Sequence, residues 1–289
     1  MSSFYGNSGG SGGGSSSSLF DLSDRMAKGI DNNDDIVDSA IIEGVIENTT
    51  FNNFLVPANK ASNFASHAEG GGTTASGPQS HAEGGGTTAS GMNSHAEGAG
   101  TIASGQDSHA EGSGSRATHT DAHAEGGGTE ASGLHSHAEG SLSRATAENS
   151  HAEGTSQSTG INSHSEGSST VASGLQSHTE GLSTVASGSQ SHAEGQGTEA
   201  SGLNSHAGGL NTIANHSSQH VFGEYNISDS SNAAATSRGN YIEIVGNGTP
   251  STRSNARTLD WSGNEVLAGK LTIGVNPTEN MDVTSKKYI

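Results

Sequence analysis

Small residues alternate with other residues along most of the chain, in units of seven. The units share the pattern (Ser/Thr)-x-Ala-x-Gly-x-x and come in pairs, such as Ser66-His-Ala-Glu-Gly70 followed by Thr73-Thr-Ala-Ser-Gly77. Alternation with a period of two predicts a short strand of about five residues, and glycine with two variable residues predicts a tight turn in which glycine takes a positive φ. Two strands and two turns make one coil of a solenoid, and successive coils pair in parallel about 4.8 Å apart.

A histidine marks the same position in successive repeats and sets the repeat length at 14 residues. One interval, between His151 and His164, is 13 residues, so one residue is deleted within the turn at 155–160. His119, His135 and His216 lie outside this frame. The histidines within it are His67, His81, His95, His109, His123, His137, His151, His164, His178, His192, His206 and His220.

Alternation also assigns the two faces of each strand. In the first strand of a coil, Ser66, Ala68 and Gly70 share one face, whereas His67 and Glu69 share the other. A coil of two short strands has a thin interior, so we expect a core of Ala, Gly, Ser and Thr that leaves a lone chain marginally stable. The outward position of the second strand varies between Thr, Ile, Val, Arg and Glu, which is typical of a solvent-exposed face.

The outward side of the first strand is nearly constant, and we call it the His/Glu face. Its uniformity indicates that every coil places this pair in the same restrictive environment. Contact with neighbouring copies in a helical or screw assembly would supply it, with imidazole donating to carboxylate. The predicted interface residues are His67, Glu69, His81, Glu83, His95, Glu97, His109, Glu111, His123, Glu125, His137, Glu139, His151, Glu153, His164, Glu166, His178, Glu180, His192, Glu194 and His206.

The repeats at 61–221 resemble the head repeats of trimeric autotransporter adhesins, in which such sevens form a left-handed parallel β-roll and three rolls pack around a threefold axis. The resemblance implies an all-β homotrimer of left-handed parallel β-rolls with 14-residue coils. The outward pairs are often apolar in that family, so His and Glu here imply a polar, hydrogen-bonded trimer interface. The segments 240–248, 253–261 and 263–269 resemble those that follow such repeats in tail-fibre and appendage proteins of phages and prophages.

These patterns divide the chain into five parts. They are a flexible Gly/Ser arm at 1–18, an N-terminal attachment region at 19–60, a shaft of about twelve coils at 61–221, a β-rich cap at 222–274, and the start of a coiled coil or linker at 275–289. Leu19, Leu22, Met26 and Ile30 form one stripe of a predicted short helix, which either packs on its own trimer or docks onto a tail or baseplate protein. The apolar clusters of 36–56 predict short strands, and the cap is predicted to have a strand at 241–245 and a turn at 246–248.

Composition and charge argue against several classes of function. Leu, Ile, Val and Phe make up 41 of the 289 residues and glycine makes up 44, so the chain is either disordered or packs small residues by repetition. The formal charge of −19, from 11 basic and 30 acidic residues, disfavours binding to nucleic acid and to an anionic membrane surface, because both are negatively charged. The sequence has no cysteine and no long apolar run, so it predicts neither disulfides nor a membrane span.

The repeated His and Glu raise the question of catalysis and of metal binding. An enzyme needs one special constellation in one pocket, whereas this pair recurs coil after coil, so we expect no enzymatic activity. We expect no cofactor either, unless a metal ion lies on the threefold axis, where three equivalent imidazoles would meet. The alternatives to an axial metal site are a ladder of His–Glu hydrogen bonds and a solvent-exposed ladder that binds a ligand. The possible axial rings are formed by His67, His81, His95, His109, His123 and His137.

The function expected from these features is that of a homotrimeric shaft, roughly 55–60 Å long, in a phage tail or a prophage-derived tail particle. It would join a baseplate or tail-tip protein at its N-terminal region to a bacterial receptor at its distal end, in the virion, after synthesis in the bacterial cytoplasm. One alternative is a bacterial surface adhesin head, which is expected to carry a signal peptide and a membrane anchor, and neither is recognisable in this sequence. The other alternative is a disordered Gly/Ser-rich linker.

Overall fold

The computed structural model describes residues 40–42, 45–51 and 54–270, with side chains from 59 to 270. These residues form 28 strands in one continuous sheet, and none of them lies in a helix. The predicted all-β fold of parallel 14-residue coils is therefore confirmed for this part of the chain. The arm at 1–18, the segment at 275–289 and the predicted helix with Leu19, Leu22, Met26 and Ile30 lie outside the described residues.

Three N-terminal strands lead into the solenoid, as the apolar clusters predict. They are β1 (Ala40–Ile42), β2 (Val45–Phe51) and β3 (Phe54–Ala61). β1 pairs antiparallel with β2, and β2 pairs antiparallel with β3. The end of β3 then pairs in parallel with the second strand of the first coil, through Lys60 and Ala61. The antiparallel entry thus converts into the parallel stack.

Each regular coil contributes one five-residue strand and one two-residue strand. Equivalent residues pair in register between coils, as His109 does with His95 and His123. The five-residue strands are β4 (His67–Gly71), β6 (His81–Gly85), β8 (His95–Ala99), β10 (His109–Ser113), β12 (His123–Gly127), β14 (His137–Ser141), β19 (His178–Leu182), β21 (His192–Gln196), β23 (His206–Leu210) and β25 (His220–Glu224). The two-residue strands are β5 (Thr74–Ala75), β7 (Thr88–Ala89), β9 (Ile102–Ala103), β11 (Arg116–Ala117), β13 (Glu130–Ala131), β15 (Arg144–Ala145), β20 (Val185–Ala186), β22 (Glu199–Ala200) and β24 (Ile213–Ala214).

The second strand is shorter than the five residues that the alternation predicts. The chain leaves the strand after Ala75, and the positive φ of this turn falls on Gln79 (φ 56°) rather than on Gly77. Gly77 is required for a different reason, because a Cβ there would lie 1.9 Å from the carbonyl oxygen of Gly91 in the next coil. Asn, Asp, Gln, His or Ser fills the left-handed position in the other coils, at Asn93, Asp107, Asp121, His135, Asn149, Asn162, Gln176, Gln190, Asn204 and Ser218. Asn and Asp tolerate this conformation better than most residues.

The core consists of small residues, as predicted. Ala82 and Ala89, one from each strand of a coil, are fully buried, and so are the alanines at these positions in the following coils, whereas Ala68 in the first coil is only partly buried. Buried hydroxyl residues accompany them, among which Ser80 is 1% exposed. The Ser80 hydroxyl donates a 2.7 Å hydrogen bond to the carbonyl of Gly77, and Ser94, Ser108 and Ser136 repeat this contact in other coils. The serine that precedes most of the histidines therefore closes the preceding turn, whereas Ala122 and Gln219 stand at this position before His123 and His220.

In the coil with the 13-residue repeat, one long strand replaces the two separate strands. β16 (His151–Ser158) runs through both strand positions of its coil, and it pairs on one side with β14 and β15 and on the other with β17 (His164–Ser165) and β18 (Ser168–Ala172). The missing residue thus removes one turn rather than breaking the stack. Ser158 and Ser165 stand here where other coils have alanine, and their buried hydroxyls lie 2.8 Å apart.

A small β-meander follows the last coil. β26 (Tyr241–Asn247) pairs in parallel with β25, and β27 (Asn255–Asp260) and β28 (Glu265–Leu267) then add in antiparallel order. The prediction of a turn at 246–248 is wrong for its first two residues, because Gly246 and Asn247 continue β26 by pairing with the end of β25. The turn lies at 249–252, where Thr249 and Thr252 bridge.

Candidate functional site

The histidines of the frame form one continuous stack along the side of the solenoid. From His81 to His220 the successive ring centroids lie 4.6–4.9 Å apart, and the ring planes differ by no more than 11°. Only the ring of His67, at the start of the stack, is turned, by 70° relative to that of His81. The spacing equals that of hydrogen-bonded parallel strands, so the backbone ladder sets the ring separation.

The Nε2 edge of this stack points toward the glutamates of the same chain. The Nε2 atom of His206 lies 3.3 Å from the carboxylate of Glu194 in the preceding coil, and that of His67 lies 3.5 Å from Glu69 in its own coil. These pairs do not form a ladder of hydrogen bonds. Within the described residues, buried Nε2 atoms without a hydrogen-bond partner occur at His81, His95, His109, His123, His137, His151, His164, His178, His192 and His206.

Burial makes protonation of six of these rings unfavourable. Burial lowers the pKa of His109, and the positive charge that His123 can carry lowers it further, although nearby glutamates such as Glu111 act in the opposite direction. The same two causes, burial first and neighbouring histidines second, lower the pKa of His81, His137, His164, His192 and His220. The lowered pKa values favour the neutral form of these six imidazoles at neutral pH.

Histidines and glutamates of adjacent coils also bring possible metal ligands together. One arrangement has two stacked rings and one carboxylate, and the other has one ring between two carboxylates. In each group the ligand atoms lie within 4.8 Å of one another. Groups of the first kind are His123 with Glu125 and His137, His137 with Glu139 and His151, and His151 with Glu153 and His164. Groups of the second kind are Glu166 with His178 and Glu180, and Glu180 with His192 and Glu194.

An open groove runs beside the carboxylates in the C-terminal half of the solenoid. It is a shallow groove lined by glutamates of four successive coils and by the turn glycines that follow them in the chain. Glycine has no side chain that could fill the groove at these positions. The lining residues are Glu153, Glu166, Gly167, Glu180, Gly181, Glu194, Gly195 and Gly209. In the next coil, the position equivalent to Glu194 is occupied by Gly208, so the series of carboxylates ends there.

On the opposite side of the solenoid, one ion pair joins two adjacent coils. Arg144 forms a 2.9 Å ion pair with Glu130, which stands at the equivalent position of the preceding coil. This side is the variable face that the sequence predicts to be exposed to solvent. The two faces therefore differ, because one varies from coil to coil and the other carries ring nitrogens that have no hydrogen-bond partner within the described residues.

The three histidines outside the frame occupy turns. His135 takes the left-handed position and lies 3.3 Å from the carboxylate of Asp121 and 3.2 Å from the side chain of Asn149. His216 is buried close to Gly239 and Asp229, and the Asp229 carboxylate accepts hydrogen bonds from the backbone of Asn240 and Tyr241. The sequence reasoning did not assign these positions, although the 14-residue spacing of Asn, Asp, Gln and His at the turn is visible in the sequence.

The structure brings the predicted His and Glu residues together on one face, but their role as a trimer interface stays a prediction. The axial rings require neighbouring chains and stay a prediction as well. Comparison of the chain with protein-family models and with curated proteins found no match. In the part of the chain that the structure describes, no helix is long and apolar enough to cross a membrane.

Proposed function

We propose that this protein is a structural shaft that works as a homotrimer, with the His/Glu faces of three chains packed against one another. The observation that carries the proposal is the stack of parallel imidazoles from His81 to His220, which presents a repeating surface along this length of the solenoid. The opposite face varies from coil to coil and forms its own ion pair between Arg144 and Glu130. A regular surface of this kind suits contact with identical copies, which repeat at the same spacing.

The thin core supports association for an energetic reason. Fully buried alanines contribute little apolar area compared with the large side chains of an ordinary core. A solenoid that gains little from its interior is stabilised by covering an outer face, and the His/Glu face is the one that is already partly desolvated. Association would therefore supply stability that the single chain does not obtain from its core.

The proposed setting is a phage tail or a prophage-derived tail particle. The stack advances about 53 Å between His67 and His220, and backbone hydrogen bonds run along this direction throughout. Such a shaft would hold an N-terminal attachment region away from a distal, receptor-binding part, and three copies would make weak receptor contacts avid. The repetition of one His–Glu pair favours this mechanical role over catalysis.

Cysteine cross-linking tests which face meets a neighbouring chain, because the native chain has no cysteine. The Glu97→Cys variant places a thiol on the His/Glu face, and Arg116→Cys places one on the opposite face as a matched control. A short bis-maleimide should join Glu97→Cys chains into covalent oligomers and leave Arg116→Cys chains single. Cross-linking of the control alone, or of neither variant, would contradict the proposed interface.

Immunogold electron microscopy tests the proposed location. Antibodies against the chain should label an appendage on tail particles induced from a bacterium that carries the gene. Label on the cell surface, with unlabelled particles, would instead support the bacterial adhesin, which remains the second candidate because the repeats resemble adhesin heads.

A further inference from the structure

We propose that the solenoid binds divalent transition-metal ions of the zinc class at two adjacent sites within one chain. The first site consists of Glu166, His178 and Glu180, and the second consists of Glu180, His192 and Glu194. This inference does not depend on the proposed trimer, because all three ligands of each site belong to the same chain.

The donor set fits such an ion. Each site offers one imidazole nitrogen and two carboxylates whose ligand atoms lie within 4.8 Å of one another. Zinc ligands lie about 2.0–2.2 Å from the metal and therefore about 3.3 Å from one another, so the carboxylates need to move by roughly 1.5 Å. Glutamate side chains on the edge of an open groove can make this movement by rotation. Imidazole combined with carboxylate suits zinc and its neighbours better than it suits calcium or magnesium.

The ring nitrogens at these sites have no other partner. Nε2 of His178 and Nε2 of His192 are both buried and accept or donate no hydrogen bond within the described chain. The Nε2 atom of His192 lies 3.9 Å from a carboxylate oxygen of Glu180 in the preceding coil. An ion would satisfy nitrogens whose burial otherwise carries an energetic cost.

Geometry favours these two groups over the groups with two histidines. In the latter, one ion would have to bind two parallel rings whose centroids are 4.6–4.7 Å apart. An imidazole lone pair lies in the plane of its ring, so parallel rings cannot both aim at one ion unless the stack opens. A site with a single ring between two carboxylates leaves the stack intact. In the single chain, the carboxylates of both sites line the groove together with the turn glycines Gly181 and Gly195.

The number of such sites is limited because the series of equivalent glutamates ends at Glu194. His206 has Glu194 beside it but Gly208 in place of the second carboxylate, so the next coil lacks a ligand. Glu180 belongs to both sites and has two oxygens to offer. The rings of His178 and His192 are 4.8 Å apart, so two ions would be held at about that separation by one common carboxylate.

Zinc titration of the full chain tests the inference. The protein is stripped with EDTA, dialysed, and titrated with zinc chloride in a calorimeter at pH 7.5, and Co²⁺ absorption provides an independent readout of nitrogen and oxygen ligation. We expect Glu180→Gln to weaken the tightest class of zinc binding at least about tenfold, because it removes a ligand from both sites. Glu111→Gln is the matched control, since Glu111 occupies the same motif but belongs to none of the converging groups.

Three results would overturn the inference. They are no zinc binding by the wild type below about 100 µM, unchanged binding by Glu180→Gln, and equal weakening by Glu111→Gln, which would mean that zinc binds the whole ladder without preference. Light scattering on the same samples separates this inference from the proposed function. A monomer with the expected zinc pattern refutes the trimer alone, and a trimer without zinc binding refutes the metal sites alone.

Discussion

Adding one methyl group between two coils should destabilise the solenoid strongly. Gly84 has a φ of +108°, and a Cβ there would lie 2.0 Å from the carbonyl oxygen of Gly98 in the next coil. The φ value alone costs an alanine about 1–3 kcal/mol. Relief of the clash also requires the coils to separate by roughly 1 Å, which breaks one or two axial hydrogen bonds worth about 1 kcal/mol each. One such bond is donated by Gly100 to the carbonyl of Gly85, at 2.8 Å.

The Gly84→Ala variant is therefore expected to lose about 2–5 kcal/mol of unfolding free energy. The neighbouring residue provides the control, because a Cβ on Gly85 would meet no atom within 4 Å and its φ is not positive. Gly85→Ala should change the unfolding free energy by less than about 0.5 kcal/mol. Urea unfolding followed by circular dichroism, at equal chain concentrations, measures both variants. Equal stability of the two variants would refute the stacked-coil geometry at this turn.

Two further predictions concern pH and the shortened coil. The pKa of His109 is lower in the folded chain than in the unfolded chain, so the unfolded state binds more protons below about pH 6.5. The melting temperature should be constant above that pH and fall as the pH decreases toward 5, and a rise on acidification would show that His⁺–Glu⁻ pairing dominates instead. Ser158→Ala should cost about 1 kcal/mol, because the buried Ser165 hydroxyl loses a partner. The double variant Ser158→Ala/Ser165→Ala should recover at least wild-type stability, since alanine fills these positions in most other coils. If its loss of stability equals the sum of the losses of the two single variants, the proposed coupling of the two hydroxyls is contradicted.

Period-two alternation was sufficient to predict which side chains enter the core. Ala82 is buried and His81 faces outward because a strand places successive side chains on opposite sides, whatever its neighbours are. The length of the second strand was not predictable in this way. The strand ends early because Gly77 must approach Gly91 closely, and a contact between coils cannot be inferred from one repeat. The positive φ at Gln79 was missed because glutamine is not a residue that normally signals it.

The candidate site was predicted in composition but not in geometry. The constant spacing placed His192 and Glu194 on one face. Which carboxylate a ring nitrogen faces depends on side-chain rotation, and the structure places Glu180 of the preceding coil near the Nε2 atom of His192. The pattern therefore predicts a histidine ladder, whereas the convergence of ligands from two coils is visible only in three dimensions.

The molar mass of the purified chain tests the central claim most directly. Multi-angle light scattering should be measured in the presence of EDTA, so that metal ions do not cause the association. The account predicts a mass of about 86 kDa, three times the 28.8 kDa of one chain. A mass of about 29 kDa at micromolar concentration, corresponding to a single chain, would contradict the packing of three His/Glu faces.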